Sequence, residues 1–215
     1  MEYNNFIHEI KNSLNAVYGL NELILNSTDI KEIKEYAELA NKSITSLEQI
    51  EKDFYDYIKT GKPTIKYSIV DIRKIINNVL NDNKYLSEKY KLNIHTDLKR
   101  TRAYTDISKL NSVITNLFIN ACKYSKEGGD IEVKCYTKKA TSIIVIKDYG
   151  IGMSEKEILQ IGTPFYRSKK IERTGTGLGI SIVKKIVDLL NWEFTIKSVN
   201  GKYTKVKIII NHITS

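Results

Sequence analysis

Residues 1–60 carry apolar side chains at helical spacing in two consecutive segments. In each segment these side chains alternate three and four positions apart, which places them on one face of an α-helix. A polar turn at Ser27-Thr28-Asp29 separates the two segments, so the pattern predicts a helical hairpin. The seam comprises Ile7, Ile10, Leu14, Val17, Asn21 and Ile24 in the first segment, and Ile30, Ile33, Ala37, Ala40, Ile44, Leu47, Glu51, Phe54 and Ile58 in the second.

Further apolar and small residues flank both seams and widen the apolar stripe. They are Phe6, Ser13 and Leu20 in the first segment, and Tyr36, Ser43, Ile50 and Tyr57 in the second. A stripe of this width is typical of a four-helix bundle rather than of a two-stranded coil. One hairpin cannot bury such a stripe alone, whereas two hairpins from two chains can. We therefore expect a homodimer through residues 1–60, in which two antiparallel hairpins form a four-helix bundle.

The segment Thr60-Gly61-Lys62-Pro63 is the best candidate linker, because glycine and proline interrupt both helices and strands. It predicts a domain at 1–60 and a second domain at 61–215. In the second domain the spacing predicts helices at Asp71–Lys89, Ile107–Tyr124 and Leu178–Leu190, and strands at Thr64–Val70, Leu92–Leu98, Ala103–Thr105, Ile131–Tyr136, Ile143–Ile146, Glu193–Ser198 and Lys205–Ile210. The polar, glycine-containing stretch Tyr149–Thr176 is expected to be a loop. Strands grouped against helices indicate an α+β fold.

Composition narrows the class of protein. The 215 residues are 41% hydrophobic and 27% charged, a globular balance that excludes wholesale disorder. No run of about 18 apolar residues predicts a membrane span, and no secretory signal opens the chain, so we expect a cytoplasmic location. Cys122 and Cys135 are too few for a disulfide framework and should pack as small hydrophobic side chains. Three scattered histidines do not predict a zinc site.

The formal net charge of +9 has three interpretations. Lysines are spread along the chain, and no Lys/Arg block with interleaved aromatic residues stands out. A solvated basic surface is therefore the first interpretation, a docking surface for an acidic partner the second, and nucleic acid a weak third. We expect no nucleic-acid partner.

Two glycine clusters are candidates for phosphate binding. Asp148-Tyr-Gly150-Ile-Gly152 follows a predicted strand, and Gly175-Thr-Gly177-Leu-Gly179 precedes a predicted helix. Glycine lets backbone N–H groups approach phosphates, and a helix N-terminus favours negative charge. Each cluster alone is weak, since glycine turns are common. The second cluster does not fit the dinucleotide fingerprint G-x-G-x-x-G, because its third glycine comes one residue early, and the chain has no P-loop.

A third candidate element lies on the helix predicted at Ile107–Tyr124. Asn116 and Asn120 share a helix face, and Lys123 lies three residues further on. An amide oxygen suits Mg²⁺ and a lysine suits phosphate. Taken alone, two solvent-facing asparagines on an amphipathic helix are the better explanation of the pattern.

The order and spacing of these elements resemble one known family. N-x-x-x-N-A-x-K-Y-S, D-x-G-x-G, G-T-P-F-Y-R and G-T-G-L-G follow one another as in the ATP-binding domain of bacterial sensor histidine kinases, part of a wider family with gyrase, Hsp90 and MutL. The start of the chain, Phe6-Ile-His8-Glu9-Ile-Lys-Asn12, resembles the phosphoacceptor box of the dimerisation and histidine-phosphotransfer domain. The resemblance implies that an α/β-sandwich (Bergerat-type) ATP-binding domain follows the hairpin.

The resemblance also implies ligands for particular residues. ATP and Mg²⁺ are the expected cofactors, with Asp148 accepting from the adenine amino group and Asn120 coordinating the metal beside Asn116. Met153–Thr174 is expected to form a mobile lid over the nucleotide. The remaining residues implied in nucleotide binding are Lys123, Tyr124, Gly150, Gly152, Phe165, Arg167, Gly175, Thr176, Gly177, Leu178 and Gly179.

His8 is the expected phosphoacceptor. It follows the seam residue Ile7, so it should point out of the bundle, and neutral imidazole is nucleophilic near pH 7. The resemblance implies that Glu9 assists by holding the proton of the other ring nitrogen, and that Asn12 orients a water for dephosphorylating the partner. An ordinary solvated helix surface is the alternative interpretation for Glu9 and Asn12.

The expected function is an autokinase that phosphorylates His8 and passes the phosphoryl group to an aspartate on the receiver domain of a response regulator, with phosphatase activity as an additional capacity. Asn116 stands where the ATPases and serine kinases of the wider family have a glutamate base, which argues against both. The alternative is a relay or regulator-sequestering module with a vestigial ATP domain. Only seven residues precede His8, so we expect either a separate sensor or controlling protein, or a chain shortened just above the histidine.

Overall fold

The computed structural model of the chain describes residues 2–58, 65–166 and 177–211. They belong to two compact units. One comprises Met1–Gly61 with Pro164–Leu178, and the other comprises Lys62–Thr163 with Gly179–Ser215. The boundary predicted between residues 60 and 61 lies outside the described residues and stays a prediction.

The first unit contains the two predicted helices, α1 (Glu2–Asn26) and α2 (Ile30–Ile58), which pack against each other. Their connection is the predicted polar turn. The Ser27 hydroxyl accepts from the backbone N–H of Asp29 at 3.1 Å, and the Asp29 carboxylate accepts from the N–H of Lys31 at 2.7 Å. These bonds satisfy donors at the start of α2, as an N-terminal cap does.

The second unit alternates short helices with strands. Its elements are β1 (Tyr67–Asp71), α3 (Ile72–Asp82), α4 (Lys84–Lys89), β2 (Asn93–Leu98), β3 (Arg102–Asp106), α5 (Ile107–Tyr124), β4 (Asp130–Lys138), β5 (Thr141–Asp148), α6 (Glu155–Gln160), α7 (Gly179–Leu189), β6 (Glu193–Val199) and β7 (Tyr203–Asn211). The predicted helix from Asp71 is divided. Asn83 ends α3 by donating from its side-chain amide to the carbonyl of Val79 at 2.8 Å, and α4 starts anew.

Five strands form one mixed sheet in the order β2-β4-β5-β7-β6. Strand β2 runs parallel to β4, and the remaining pairs are antiparallel. A separate antiparallel ribbon joins β1 to β3. Asp71 and Asp106, which end the two ribbon strands, cap α3 and α5 with their carboxylates, so the ribbon fixes where both helices begin.

Helices α3, α5 and α7 cover one face of the sheet, and that layer holds the core. Alternate residues of the strands point into it, as period-two strand geometry requires. The fully buried side chains include Phe118, Ile114 and Leu110 of α5, Ile131 and Val133 of β4, Ile144 of β5, Ile182 of α7 and Ile208 of β7. Cys122 and Cys135 are buried and unbridged, which confirms that they pack as hydrophobic side chains. None of the helices in the described ranges has the length and apolar character that a membrane crossing needs.

Candidate functional site

Asp148 is a buried carboxylate of the second unit. It ends β5 with 5% of its surface exposed, and its Oδ1 accepts from the N–H of Gly150 at 3.1 Å. Burial raises the pKa of Asp148 to about 6. Cys122 of α5 lies close enough that burial, with the charge of Asp148, raises the pKa of its thiol to about 12. A carboxylate held between β5 and α5 is a fixed hydrogen-bond acceptor at neutral pH.

The loop after Asp148 is pinned against the C-terminal end of α5. The N–H of Ile151 donates to the carbonyl of Tyr124 at 3.1 Å. A Cβ on Gly150 would overlap that same carbonyl oxygen, so no other residue fits without moving the loop. The backbones of Gly150 and Tyr124 therefore approach so closely that only glycine, which has no Cβ, fits two residues after Asp148.

The turn between β6 and β7 holds the second half of the same loop. Gly152 has φ +56°, and a Cβ there would overlap the carbonyl of Val199. The N–H of Met153 donates to the Ser198 hydroxyl at 2.8 Å, and that hydroxyl donates to the carbonyl of Tyr203 at 2.7 Å. The loop carrying Asp148 is thus fixed from both sides.

Asn116 and Asn120 face the first residue of α7. A Cβ on Gly179 would lie 3.0 Å from Oδ1 of Asn116 and 3.4 Å from Nδ2 of Asn120. The amide nitrogen of Asn116 donates to the carbonyl of Ser112 at 2.9 Å, so its oxygen is the end turned towards α7. Two amides and the first N–H groups of a helix converge here.

This donor set fits a nucleotide with its metal. Amide oxygens are hard ligands that suit Mg²⁺, and the start of an eleven-residue helix attracts phosphate. Lys123 and Tyr124 follow half-buried at the end of α5, the end that meets the Asp148 loop. One end of the unit therefore brings together a buried carboxylate, two amides and a helix start, joined by α5.

The glycine cluster before α7 is described only in part. Gly177 has φ +70°, and a Cβ there would lie 2.6 Å from the carbonyl carbon of Phe165, which itself has φ +65°. The two backbones therefore touch. Leu178 is buried. Arg167, Gly175 and Thr176 lie outside the described residues, and their roles stay predictions.

The stretch expected to be a loop contains a helix. Ser154 caps α6 in a capping box with Glu157, a serine and glutamate three residues apart. A serine followed three residues later by a glutamate is a helix-start signal, and α6 could have been predicted from it. At its other end, the Lys184 ammonium of α7 donates to the carbonyl of Ile161 at 2.8 Å, and the Lys184 side chain fills the space beside Gly162. No sequence signal links Lys184 to a carbonyl 23 positions away.

The candidate phosphoacceptor box lies in the first unit. His8, Glu9 and Asn12 belong to α1, and their side chains lie outside the described residues. Their exposure and contacts stay predictions.

A family model and curated relatives match the chain. Residues 105–213 match the model described as histidine kinase-, DNA gyrase B-, and HSP90-like ATPase. Sporulation kinase E of Bacillus subtilis (strain 168) is 29% identical over 213 residues, which cover 96% of this chain and 27% of the relative. Sensor protein DegM of Bacillus sp. (strain B21-2) is 27% identical over 202 residues, which cover 93% and 51%. The chain spans about a quarter to a half of the length of its curated relatives.

Solved structures share the fold. Acinetobacter baumannii histidine kinase AdeS has a TM-score of 0.72 at 19% identity, covering 96% of this chain and 98% of that one. Histidine kinase ThkA in complex with response regulator protein TrrA has a TM-score of 0.78 at 18% identity, covering 98% and 61%. Full-length ShkA in complex with AMPPNP has a TM-score of 0.73 at 17% identity, covering 97% and 45%. The predicted resemblance and the mixed α/β fold of the ATP-binding domain are confirmed.

Proposed function

The chain belongs to the family of histidine kinase-, DNA gyrase B- and HSP90-like ATPases, and from this premise we propose that it is the core of an ATP-dependent protein-histidine kinase. The observation that carries the proposal is one end of the second unit. There, buried Asp148 stands at one side of α5, and Asn116 and Asn120 face the start of α7 at the other. A carboxylate acceptor for the base, amides for a metal ion and a helix start for phosphates together suit a purine nucleoside triphosphate.

Each part of that end has a role towards ATP. Asp148 accepts a hydrogen bond from the adenine amino group, and Gly150 and Gly152 keep the loop beneath the base. Asn120 holds Mg²⁺, with Asn116 beside it, and the metal when bound offsets the charge of the phosphate oxygens. Lys123 and the start of α7 hold the phosphates. AMPPNP in the ShkA structure, an ATP-like ligand bound to a protein of the same fold, is in keeping with this proposal.

The proposed reaction transfers the γ-phosphoryl group of ATP to His8. A neutral imidazole nitrogen attacks the γ-phosphorus, a P–N bond forms, and the P–O bond to ADP breaks. Glu9 holds the proton of the other ring nitrogen and so favours the nucleophilic tautomer. The phosphoryl group then passes to an aspartate of a response regulator. The complex of ThkA with response regulator TrrA supports a partner of this class.

Asn116 distinguishes this proposal from an ATPase. A carboxamide is a poor base, and this one already donates to the carbonyl of Ser112. Without a carboxylate at this position, the site lacks the group that would activate a water or a serine hydroxyl. Asn12, one turn beyond His8, is the proposed group for a phosphatase reaction on the partner.

The hairpin supports a homodimer. Within the described side chains of α1 and α2 none is buried, and Leu14, Leu23 and Ile44 are at least 40% exposed. In water, apolar surface of this kind is usually covered by another protein surface. The hairpin of a second copy of the chain carries the matching apolar stripe. We therefore include dimerisation through residues 1–60 in the proposal.

Nucleotide binding tests the proposal against a relay or regulator-sequestering module. A fluorescent ATP analogue should bind in the presence of Mg²⁺, and Asp148→Asn and Asn120→Ala should each weaken binding roughly hundredfold. Lys66→Gln, at an exposed lysine of the same unit, is the control and should change nothing. A chain that keeps its fold by circular dichroism and binds no nucleotide contradicts the proposal and favours the relay module.

A further inference from the structure

The five-stranded sheet has a second face, opposite the helices, that the proposed reaction does not use. Its side chains form cross-strand rows. One row runs His95, Glu132, Lys147, Lys205 and Lys197 across all five strands. The next runs Asp97, Lys134, Val145, Lys207 and Thr195. The carboxylates of these rows lie on β2 and β4 and most of their lysines on β5, β7 and β6, while Glu193 places one further carboxylate at the start of β6.

Four lysines make up the lysine face: Lys147, Lys197, Lys205 and Lys207. Lys205 is the direct register partner of both Lys147 and Lys197. Directly opposed residues on neighbouring strands lie about 5 Å apart, and like charges at that spacing repel. Lys147 is held over the ring of Tyr149, with Nζ 3.9 Å from the ring centroid. Lys197, Lys205 and Lys207 have no ion-pair partner among the residues that the structure describes.

Protection of a sheet edge does not explain this arrangement. Lysine on an edge strand blocks unwanted pairing with another chain, and Lys197 on the edge strand β6 fits that role. Lys147 and Lys205 lie on the interior strands β5 and β7, where both edges are already paired. Two directly opposed lysines on paired strands repel each other and protect no edge, which indicates a role other than edge protection.

The carboxylates of this face on β2 and β4 are already paired. Asp97 bonds Lys99 at 3.0 Å, Asp130 bonds His95 at 2.8 Å, and Glu132 bonds Lys134 at 2.6 Å. Lys134 and Tyr149 together hold the pKa of Glu132 at about 2. Each of these three carboxylates therefore has a basic partner, in contrast to Lys197, Lys205 and Lys207, which have no ion-pair partner among the described residues.

The size of the lysine face limits its partner. Three strands span about 10 Å, and Glu132 is the direct neighbour of Lys147 on the next strand. A DNA duplex or an anionic bilayer is negative over a much wider area and would have to pass over the carboxylates within a Debye length of about 8 Å. A protein surface can present acidic groups over the lysines alone. Lysine, a hydrated point charge without the arginine fork, suits such contacts with dispersed carboxylates.

We propose that the lysine face is a docking surface for an acidic segment of a partner protein, with Lys197, Lys205 and Lys207 contacting its carboxylates. The surface is separate from the nucleotide end, so this inference does not depend on the proposed kinase reaction. Attraction of this kind accelerates association and depends on salt.

A fluorescent oligoglutamate peptide is the probe, titrated against the whole chain at low and physiological salt. The variant Lys197→Glu with Lys205→Glu should weaken peptide binding roughly tenfold or more. The matched control is Lys66→Glu with Lys74→Glu, two exposed lysines away from this face that change the net charge equally. The control should weaken binding no more than about twofold, and both variants should keep the circular dichroism of the parent.

Equal weakening by the two double variants would overturn the proposal, because net charge alone would then explain binding. Binding of a DNA duplex, or of vesicles of phosphatidylglycerol and phosphatidylcholine, that is tighter than peptide binding and is lost in the lysine-face variant would also overturn it, in favour of those partners.

Thermal unfolding tests the premise that the row of lysines lowers the stability of the chain, in a variant that is expected to fold. Lys205→Gln removes the central charge of the row and should raise the melting temperature or leave it unchanged. Lys134→Gln, which removes the partner of Glu132, should lower it. A lower melting temperature for Lys205→Gln would show that the lysine is a stabilising group and would contradict a role maintained for docking.

Discussion

The hairpin and the ATP-binding unit bury their apolar residues to very different extents. The unit made by the sheet and its helices encloses Phe118, Ile144 and Ile182 almost completely. The described side chains of α1 and α2 are all at least partly exposed, and Ile30 and Leu25 are more than 70% exposed. Apolar burial is the main source of folding free energy. The core of the sheet unit is therefore complete within one chain, whereas the apolar stripe of the hairpin is left partly exposed.

Glycine shows the same contrast at single positions. Gly19 lies in the middle of α1, and a Cβ there would meet nothing within 4 Å. Gly150 lies in the Asp148 loop, and a Cβ there would overlap the backbone of Tyr124. An added methyl group therefore has space at this position of the hairpin and none in the Asp148 loop.

The largest effect is expected from Gly150→Ala. The added methyl group must displace either the loop or the end of α5, at a cost of about 3 kcal/mol or more in the free energy of unfolding, and Asp148 moves with the loop. Calorimetry should show a lower melting temperature for the ATP-binding unit, and titration should show loss of nucleotide binding.

Gly19→Ala is the matched control in the hairpin. Alanine is favoured over glycine in a helix interior, so this variant should gain about 0.5–1 kcal/mol. Equal destabilisation by the two substitutions would break the comparison between the units.

The next effect concerns the exposed apolar surface of the hairpin. Leu14→Glu with Ile44→Glu places charges on that surface and should weaken the dimer roughly hundredfold, as measured by analytical ultracentrifugation over a range of concentrations. Asn15→Glu with Thr45→Glu, at the exposed polar neighbours, adds the same charge and should leave the dimer intact. A parent chain that is monomeric at every concentration tested would contradict a second hairpin as the covering surface.

A smaller effect follows from the raised pKa of Asp148. Since its pKa is about 6 in the folded chain, against an ordinary value of 3.8, Asp148 takes up a proton as the pH falls from about 7 to 5. Loss of the carboxylate acceptor should weaken adenosine binding roughly tenfold between pH 7 and 5. Stability should change in the opposite direction, because the cost of a buried charge disappears as the pH falls from about 6 to 4. Both trends should be absent from Asp148→Asn, and a parent that binds adenosine equally well at both pH values would contradict this role.

The smallest effect is expected at Lys184. Lys184→Met keeps the aliphatic contact with Gly162 and removes the hydrogen bond to Ile161, which should cost about 1 kcal/mol and increase hydrogen exchange near Ile161. Lys202→Met, at the exposed turn between β6 and β7, should have no effect. Unchanged exchange in Lys184→Met would show that the bond does not hold the end of α6.

Periodic segments were predictable and contacts between distant residues were not. Helix α5 and strand β2 match the predicted ranges to within one residue, because their apolar spacing records which face is buried. The division at Asn83, whose side-chain amide bonds the carbonyl of Val79, interrupts no apolar period, whereas the capping box of Ser154 and Glu157 is a local signal for α6 that apolar spacing does not register. The sequence pattern could not show that the β6–β7 turn holds Met153 through Ser198.

The candidate site follows the same division. Asp148, Gly150, Asn116 and Asn120 could be singled out from the order and spacing of several sequence motifs, and their roles towards a nucleotide stay predictions. The register that brings Lys147, Lys205 and Lys197 into one row was not, since it arises only when three strands pair. Sequence order predicts which residue types are present, whereas sheet register decides which of them are neighbours.

The most direct test of the account is incubation of the whole chain with γ-labelled ATP and Mg²⁺, beside His8→Gln and Asn120→Ala. The account predicts label on the parent chain that is acid-labile and alkali-stable, as a phosphohistidine is, and no label on either variant. Label that persists in His8→Gln, or a parent that binds ATP and remains unlabelled while dimeric, would contradict the assignment of His8 as the acceptor.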